Sequence, residues 1–162
     1  MAVRKIISGG QTGVDQIGLK VGRILGLETG GTAPKGWKTE NGPNPKLADY
    51  SLVESPSDDY KVRTEDNVRD ADVTVWFGNT SSAGAKCTLK AIRKHNKNHV
   101  SNPSPFTLLN FLRRWNPEVI NVASNRGSHL TKNQRDEYGR RLLSVIECYN
   151  KQSRFDDITQ AP

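Results

Sequence analysis

The sequence predicts an α/β fold: a mostly parallel sheet with helices on both faces, a three-layer α/β/α arrangement. Three observations carry that prediction. Short β-branched runs occur at Val3 to Ile7, Val73 to Phe77 and Val119 to Ala123. Each ends in a loop of small residues, and helical periodicity follows, which is the alternation that builds parallel sheets. With 162 residues, the chain has the length of one domain and can bury roughly 70% of its unfolded surface.

The elements follow in order. Val3, Ile6 and Ile7 read as a buried strand that ends at Ser8-Gly9-Gly10. From Val14, apolar residues recur at Ile17, Val21, Ile24 and Leu25 with a period near 3.6, until Gly26 supplies a helix stop. Gly18 and Gly22 inside that helix cost about 1 kcal/mol each against Ala, so close packing on the sheet is their expected use. Residues 29–59, rich in Gly and Pro, read as mostly irregular, and so long a connection is expected to be a binding loop carrying Trp37. A short helix near 64–70 leads to the strand Val73 to Phe77, which stops at Gly78.

The small-residue loop GNTSSAGA then opens a helix whose Cys87, Ala91, Ile92 and His95 share a face. HVSNPSP is polar and interrupted by two prolines, so no strand is expected there. Phe106 to Trp115 is helical by pattern, VINVA is the third clear strand, and SNRGS follows it. The last helix is expected from about Lys132 to Tyr149, with Tyr138, Leu142, Val145, Ile146 and Tyr149 facing inward. One domain over 1–149 and a loose tail over 150–162 complete the reading.

Composition narrows the function. The net charge is +7, from 24 Lys and Arg against 17 Asp and Glu, which suits an anionic ligand, nucleic acid or simple solubility. No recognised nucleic-acid module or aromatic-interleaved basic stripe is present, so nucleic acid ranks last among the partners. The two cysteines, Cys87 and Cys148, lie far apart without a CxxC, and read as reduced, buried thiols in the cytoplasm. Apolar runs are too short to span a bilayer. His95, His99 and His129 lack metal-ligand spacing, so no metal site is expected.

The three small-residue loops, Ser8 to Gly13, Gly78 to Gly84 and Ser124 to Ser128, each follow a strand and therefore should share the carboxyl edge of the sheet, where ligands of such folds bind. Two of them open helices, whose free N–H groups suit a phosphate. Gly9, Gly10 and Gly13 would let the main chain approach that anion, or would merely make a tight turn. Thr12 and Asp15 at a helix start read as a capping pair ahead of ligand contacts. GxGxxG and GxxxxGK[ST] are both absent, which argues against an ordinary dinucleotide or P-loop site. Arg63 and Asn67, one turn apart, could face a ligand.

In the order SGGQTGVD, GGTAPKGWKTENGP, YKVRTEDNVRDADVTVWF, SSAGAKCT and VINVASNRGS, these segments resemble the circularly permuted YpsA-type SLOG family over roughly residues 3–146. Its members often carry the label of molybdenum-carrier proteins. The resemblance implies a Rossmann-like domain related to the lysine-decarboxylase-like phosphoribohydrolases, a phosphorylated nucleotide-derived ligand or a molybdenum cofactor, and a homo-oligomer. It implies ligand contacts from Gly9, Gly10, Gln11, Thr12 and Gly13; from Lys35, Gly36 and Trp37; from Arg63, Thr64 and Asn67; and from Ser82, Gly84 and Thr88. Thr88 stands where the phosphoribohydrolase pattern PGGxGTxxE carries its catalytic Glu, so holding a ligand is expected ahead of hydrolysing it. The alternative is a hydrolase acting on an N-glycosidic or phosphate bond, with Asp15, Glu40, Glu65 or Asp70 as acid or base.

Overall fold

A computed structural model describes residues 2–160. Six parallel strands form the main sheet in the order β5-β2-β1-β8-β6-β7. They are β1 (Lys5–Ile7), β2 (Glu28–Ala33), β5 (Leu52–Glu54), β6 (Val73–Phe77), β7 (Asn98–Ser101) and β8 (Val119–Ser124), and a small antiparallel hairpin joins β3 (Lys38–Thr39) to β4 (Gly42–Pro43). The helices are α1 (Val14–Ile24), α2 (Tyr60–Asp70), α3 (Ala83–Lys94), α4 (Pro105–Trp115) and α5 (Lys132–Thr159). This is the expected three-layer α/β/α, Rossmann-like fold.

Period-two alternation splits the central strands between two unlike layers. On one face Val73, Val75, Phe77, Ile120 and Val122 join Val14 and Val21 of α1, Leu108 and Leu112 of α4, and Leu142 and Ile146 of α5 in the main apolar core. Gly18 lies where a Cβ would stand 2.9 Å from Val122, and Gly22 where one would stand 2.9 Å from Thr29, so both glycines bring α1 down onto the sheet as expected. The opposite face, under α2 and α3, has only a small apolar cluster of Val68, Ala91 and Ile92. The strand residues pointing there include the buried Thr74, Trp76 and Asn121. That polar layer is where the site reaches inward.

Helix starts follow local chemistry. Asp59 caps α2 by accepting from the Lys61 N–H, Ser82 caps α3, Ser104 caps α4 ahead of Pro105, and Thr131 with Gln134 forms a capping box on α5. At α1 the cap residue is Gly13 and no side chain of its own caps it. The Ser124 hydroxyl accepts from the Val14 N–H instead, so Thr12 and Asp15 are not a capping pair.

Four expectations are corrected. Residues 29–59 are not mostly irregular: the glycine-rich segment forms β2, paired on both sides by β1 and β5, and a hairpin and two short 3-10 turns fill the rest. Its paired glycines and its lack of large apolar residues hid a strand, and those glycines allow close approach, a Cβ on Gly31 falling 2.2 Å from the Ser8 carbonyl. HVSNPSP does contain a strand, β7, which tolerates polar residues and nearby proline because it is an edge. The last helix does not stop at Tyr149 but runs to Thr159, with Asn150 and Ser153 buried; residues 161 and 162 lie outside the described residues. Finally, Cys148 is exposed, whereas Cys87 is half-buried, and both are free thiols.

Candidate ligand-binding site

The loops after β1, β6 and β8 meet at the carboxyl edge of the sheet and are stitched to one another. Ser124 N–H donates to Asp15 Oδ1 at 3.1 Å, Asn125 Nδ2 to Ser82 Oγ at 2.8 Å, and Gly127 N–H to Thr12 Oγ1 at 2.9 Å. Together they enclose an open cavity of about 360 Å³, within the usual range of small-molecule sites. One wall is the first turn of α3, where Ser82, Ala83 and Gly84 lie. N–H groups of a helix's first turn have no carbonyl partner within the helix and favour an anion. Facing that turn are Lys61, Arg63, Arg126 and His129, with Asp59 the lining carboxylate and Tyr60 the lining aromatic.

Beneath Gly84 a second, inner chamber of about 40 Å³ shares Arg63, Thr64, Gly84 and Ser124 with the outer cavity. Asp15, 2% exposed, is part of its wall. Burial pushes the Asp15 carboxyl up to about 6, although the Arg63 guanidinium and the hydrogen bonds from Gln11 and Ser124 oppose that rise. Arg63 Nη1 lies 3.4 Å from Asp15 Oδ2. The guanidinium also lies against Gly9: a Cβ there would stand 1.5 Å from Nη1. The first glycine of the loop thus makes room for an arginine.

The rest of that loop is not an open phosphate cradle. Gly10 N–H donates to Ser8 Oγ, Gln11 N–H to Asp15 Oδ2, and Thr12 N–H to Gln11 Oε1. Gly10, at φ +72°, faces Leu47 and Leu52, away from the cavity. Gly13 abuts Gly127. The Thr12 hydroxyl donates to the Glu40 carboxylate, which also accepts from Ser128 N–H at 3.0 Å and Ser128 Oγ at 2.5 Å. Burial opposes ionisation of Glu40, but the bonds from Ser128 and Thr12 and the nearby Arg126 charge outweigh it and hold the carboxyl below its ordinary value.

Of the residues expected to contact a ligand, Gln11, Arg63, Thr64, Ser82 and Gly84 line the outer cavity, and Asn67 and Thr88 join the wall of the inner chamber. Asn67 is committed to structure: its Nδ2 donates to the Thr32 and Arg63 carbonyls and its Oδ1 accepts from Thr32 N–H, clamping α2 to β2. Thr88 Oγ1 donates to the Gly84 carbonyl one turn back in α3. Lys35, Gly36 and Trp37 lie outside both walls. Trp37 is half-buried against the Leu19, Ala33, Leu47 and Leu52 cluster and is not the exposed indole that a stacking role needs.

Lys61, Tyr60, Asn125, Arg126, His129, Trp76 and Asn121 belong to the walls and were not singled out as contacts. The loop SNRGS is legible in the sequence, and its Arg126 is the available signal. Trp76 and Asn121 carried none, because a strand pattern does not show which face is polar. Among the four carboxylates considered as acid or base, Glu65 pairs with Lys94 and His95 on the surface, Asp70 pairs with Arg69, and Glu40 bridges loops. Of the four, Asp15 alone stands in a wall of the outer cavity or the inner chamber. Among the described residues, no three His, Cys, Asp or Glu side chains are grouped as a metal ion would require, and no helix is long and apolar enough to cross a membrane.

A parallel sheet whose order reverses around β1, with a crevice outside the strand ends there and a helix start aimed into it, defines a Rossmann-like α/β protein. The chain belongs to the circularly permutated YpsA SLOG family, whose pattern matches residues 6–144. It is similar to a solved protein from Syntrophus aciditrophicus SB, described as a "Putative molybdenum carrier protein", with 27% identity, a TM-score of 0.74, and coverage of 91% of this chain and 95% of that one. No curated protein matches the chain.

Proposed function

We propose that the protein binds a phosphorylated nucleotide or nucleotide-derived small molecule, as a sensor, carrier or sequestering protein, and holds it without turnover. One observation carries this reading: the first turn of α3 and four basic side chains, Lys61, Arg63, Arg126 and His129, converge on one cavity of about 360 Å³. A phosphate there would meet main-chain N–H groups and charge-assisted donors together. Its location differs from the loop that the glycines first suggest, because that loop spends its N–H groups internally. The cytoplasm and a homo-oligomer remain part of this proposal.

A molybdenum carrier is the second reading, favoured by the description of the solved relative. A phosphorylated molybdenum cofactor would offer its phosphate to the same basic wall. Native mass spectrometry and elemental analysis of the purified protein test both readings, followed by incubation with nucleoside monophosphates, NAD derivatives and cyclic dinucleotides. Retention of an intact phosphorylated compound, weakened about tenfold or more by Arg126→Ala, is the expected result. Retained molybdenum would favour the carrier. Repeated turnover abolished by Asp15→Asn would replace binding by hydrolysis, and no affinity for any phosphorylated compound would sink the proposal.

A further inference from the structure

The phosphate reading leaves the inner chamber without a use. It lies between the sheet and the α2–α3 layer, where aliphatic side chains ordinarily fill the space. Here its walls carry Asp15, Thr88 and Asn121, all 4% exposed or less. Among the described residues, two buried side-chain polar atoms have no hydrogen-bond partner: Arg63 Nε and Trp76 Nε1. Both residues line this chamber; Trp76, itself 4% exposed, also borders another cavity of about 10 Å³, which is no larger than a single water needs. Native proteins pair their buried donors, so two unmatched donors beside one cavity call for an acceptor supplied from outside the chain.

The chemistry of that acceptor is constrained from the other side. The Asp15 carboxylate is an acceptor in the same wall, and a second anion brought into so buried a space would be repelled by it. An aliphatic group would leave Arg63 and Trp76 unmatched. A hydroxyl both accepts and donates, and so can serve the donors and the carboxylate together. Size agrees: about 40 Å³ is room for roughly three water-sized groups and excludes a nucleobase. Because Gly84 belongs to both walls, a group in the chamber would lie next to a phosphate seated on the first turn of α3.

We propose that the inner chamber reads the sugar hydroxyls of a pentose phosphate whose phosphate rests on the first turn of α3. This rests on the phosphate-binding reading above and narrows it: the site distinguishes a sugar phosphate from any other phosphate monoester. Trp76 and Arg63 donate to the sugar oxygens, and Asp15 accepts from a sugar hydroxyl. A site built for hydroxyls rejects an analogue that lacks them far more strongly than an apolar pocket rejects a missing methylene, because its own polar groups are left unpaired.

Calorimetric titration of the whole chain with ribose 5-phosphate, butyl phosphate and inorganic phosphate tests the inference. Ribose 5-phosphate is expected to bind about tenfold or more tightly than butyl phosphate, which has the same phosphate and no hydroxyls. Trp76→Phe, which keeps a flat ring and removes Nε1, should weaken ribose 5-phosphate binding more than butyl phosphate binding and so shrink that preference. Equal binding of ribose 5-phosphate and butyl phosphate by the native protein would overturn the inference, whatever the variant does, and would leave the chamber to ordered water while the phosphate reading stands. Failure of all three compounds to bind would overturn the phosphate reading and this inference with it.

Discussion

Gly9 and Gly10 are adjacent and have different duties. A Cβ at Gly9 would collide with the Arg63 guanidinium, the movable end of a long side chain, whereas one at Gly10 would meet Leu47 at 2.7 Å from a backbone at φ +72°. Gly9→Ala should therefore fold, displace Arg63 from Asp15 and weaken phosphate binding, while Gly10→Ala should chiefly lower the thermal midpoint. Titration and melting of the two variants side by side check this, and a Gly9→Ala protein with native affinity would contradict it. Asp15 adds a pH signature. Its folded value of about 6 lies above the ordinary 3.8, so the folded state binds the extra proton between those values. The stability gained from that proton is fully present below about pH 3.8 and is lost as pH rises through about 6. In Asp15→Asn that dependence is absent, so the difference in melting temperature between native and variant should shift in the variant's favour from pH 4 to pH 7; a constant difference would deny the buried proton.

The hairpin β3–β4 acts on the site through one side chain. Glu40 ties the loop after β1, through Thr12, to the loop after β8, through Ser128, and that second loop carries Arg126 and His129 in the cavity wall. Glu40→Ala should loosen the wall without unfolding the sheet. Amide hydrogen exchange at Ser128 is expected to accelerate by an order of magnitude or more, since its N–H loses its acceptor; unchanged exchange would show that the hairpin is a bystander. Nothing in the sequence pointed to this strap, because Glu40 and Ser128 are 88 residues apart and meet only through tertiary structure. The three strand–loop units were legible for the opposite reason: periodicity and loop chemistry are local. β2 and β7 escaped notice where packing overrode propensity, as in the glycines of β2 held between two neighbours and the polar edge of β7.

At the scale of the whole molecule, the sheet joins two unlike layers, an apolar one that holds the fold and a polar one that holds the site. Hydrophobic periodicity reports the first and is silent about the second, so the core along α4 and α5 could be read in advance while Trp76 and Asn121 could not. Misreading the end of α5 has the same origin: after Tyr149 the inward positions become Asn150 and Ser153, which carry no apolar signal yet are buried. Asn150 grips the chain entering β1, its Oδ1 accepting from Val3 N–H and its Nδ2 donating to the Val3 carbonyl, both at 2.9 Å. Each such bond contributes about 1 kcal/mol net, and losing the partner strands buried backbone groups at a further cost of about 1–3 kcal/mol. The total of about 3–5 kcal/mol means that a chain ending at Tyr149 should melt roughly 6–20 °C lower, taking about 2–4 °C per kcal/mol for a domain of this size. A chain ending at Arg154 keeps Asn150 and Ser153 and drops the exposed Phe155 and Ile158, so it should melt within about 2 °C of the full protein. Calorimetry on both truncations decides the matter. Equal midpoints for the two would mean that the Asn150 clamp contributes nothing; a large loss already at Arg154 would move the stabilising contact into the last turns of α5.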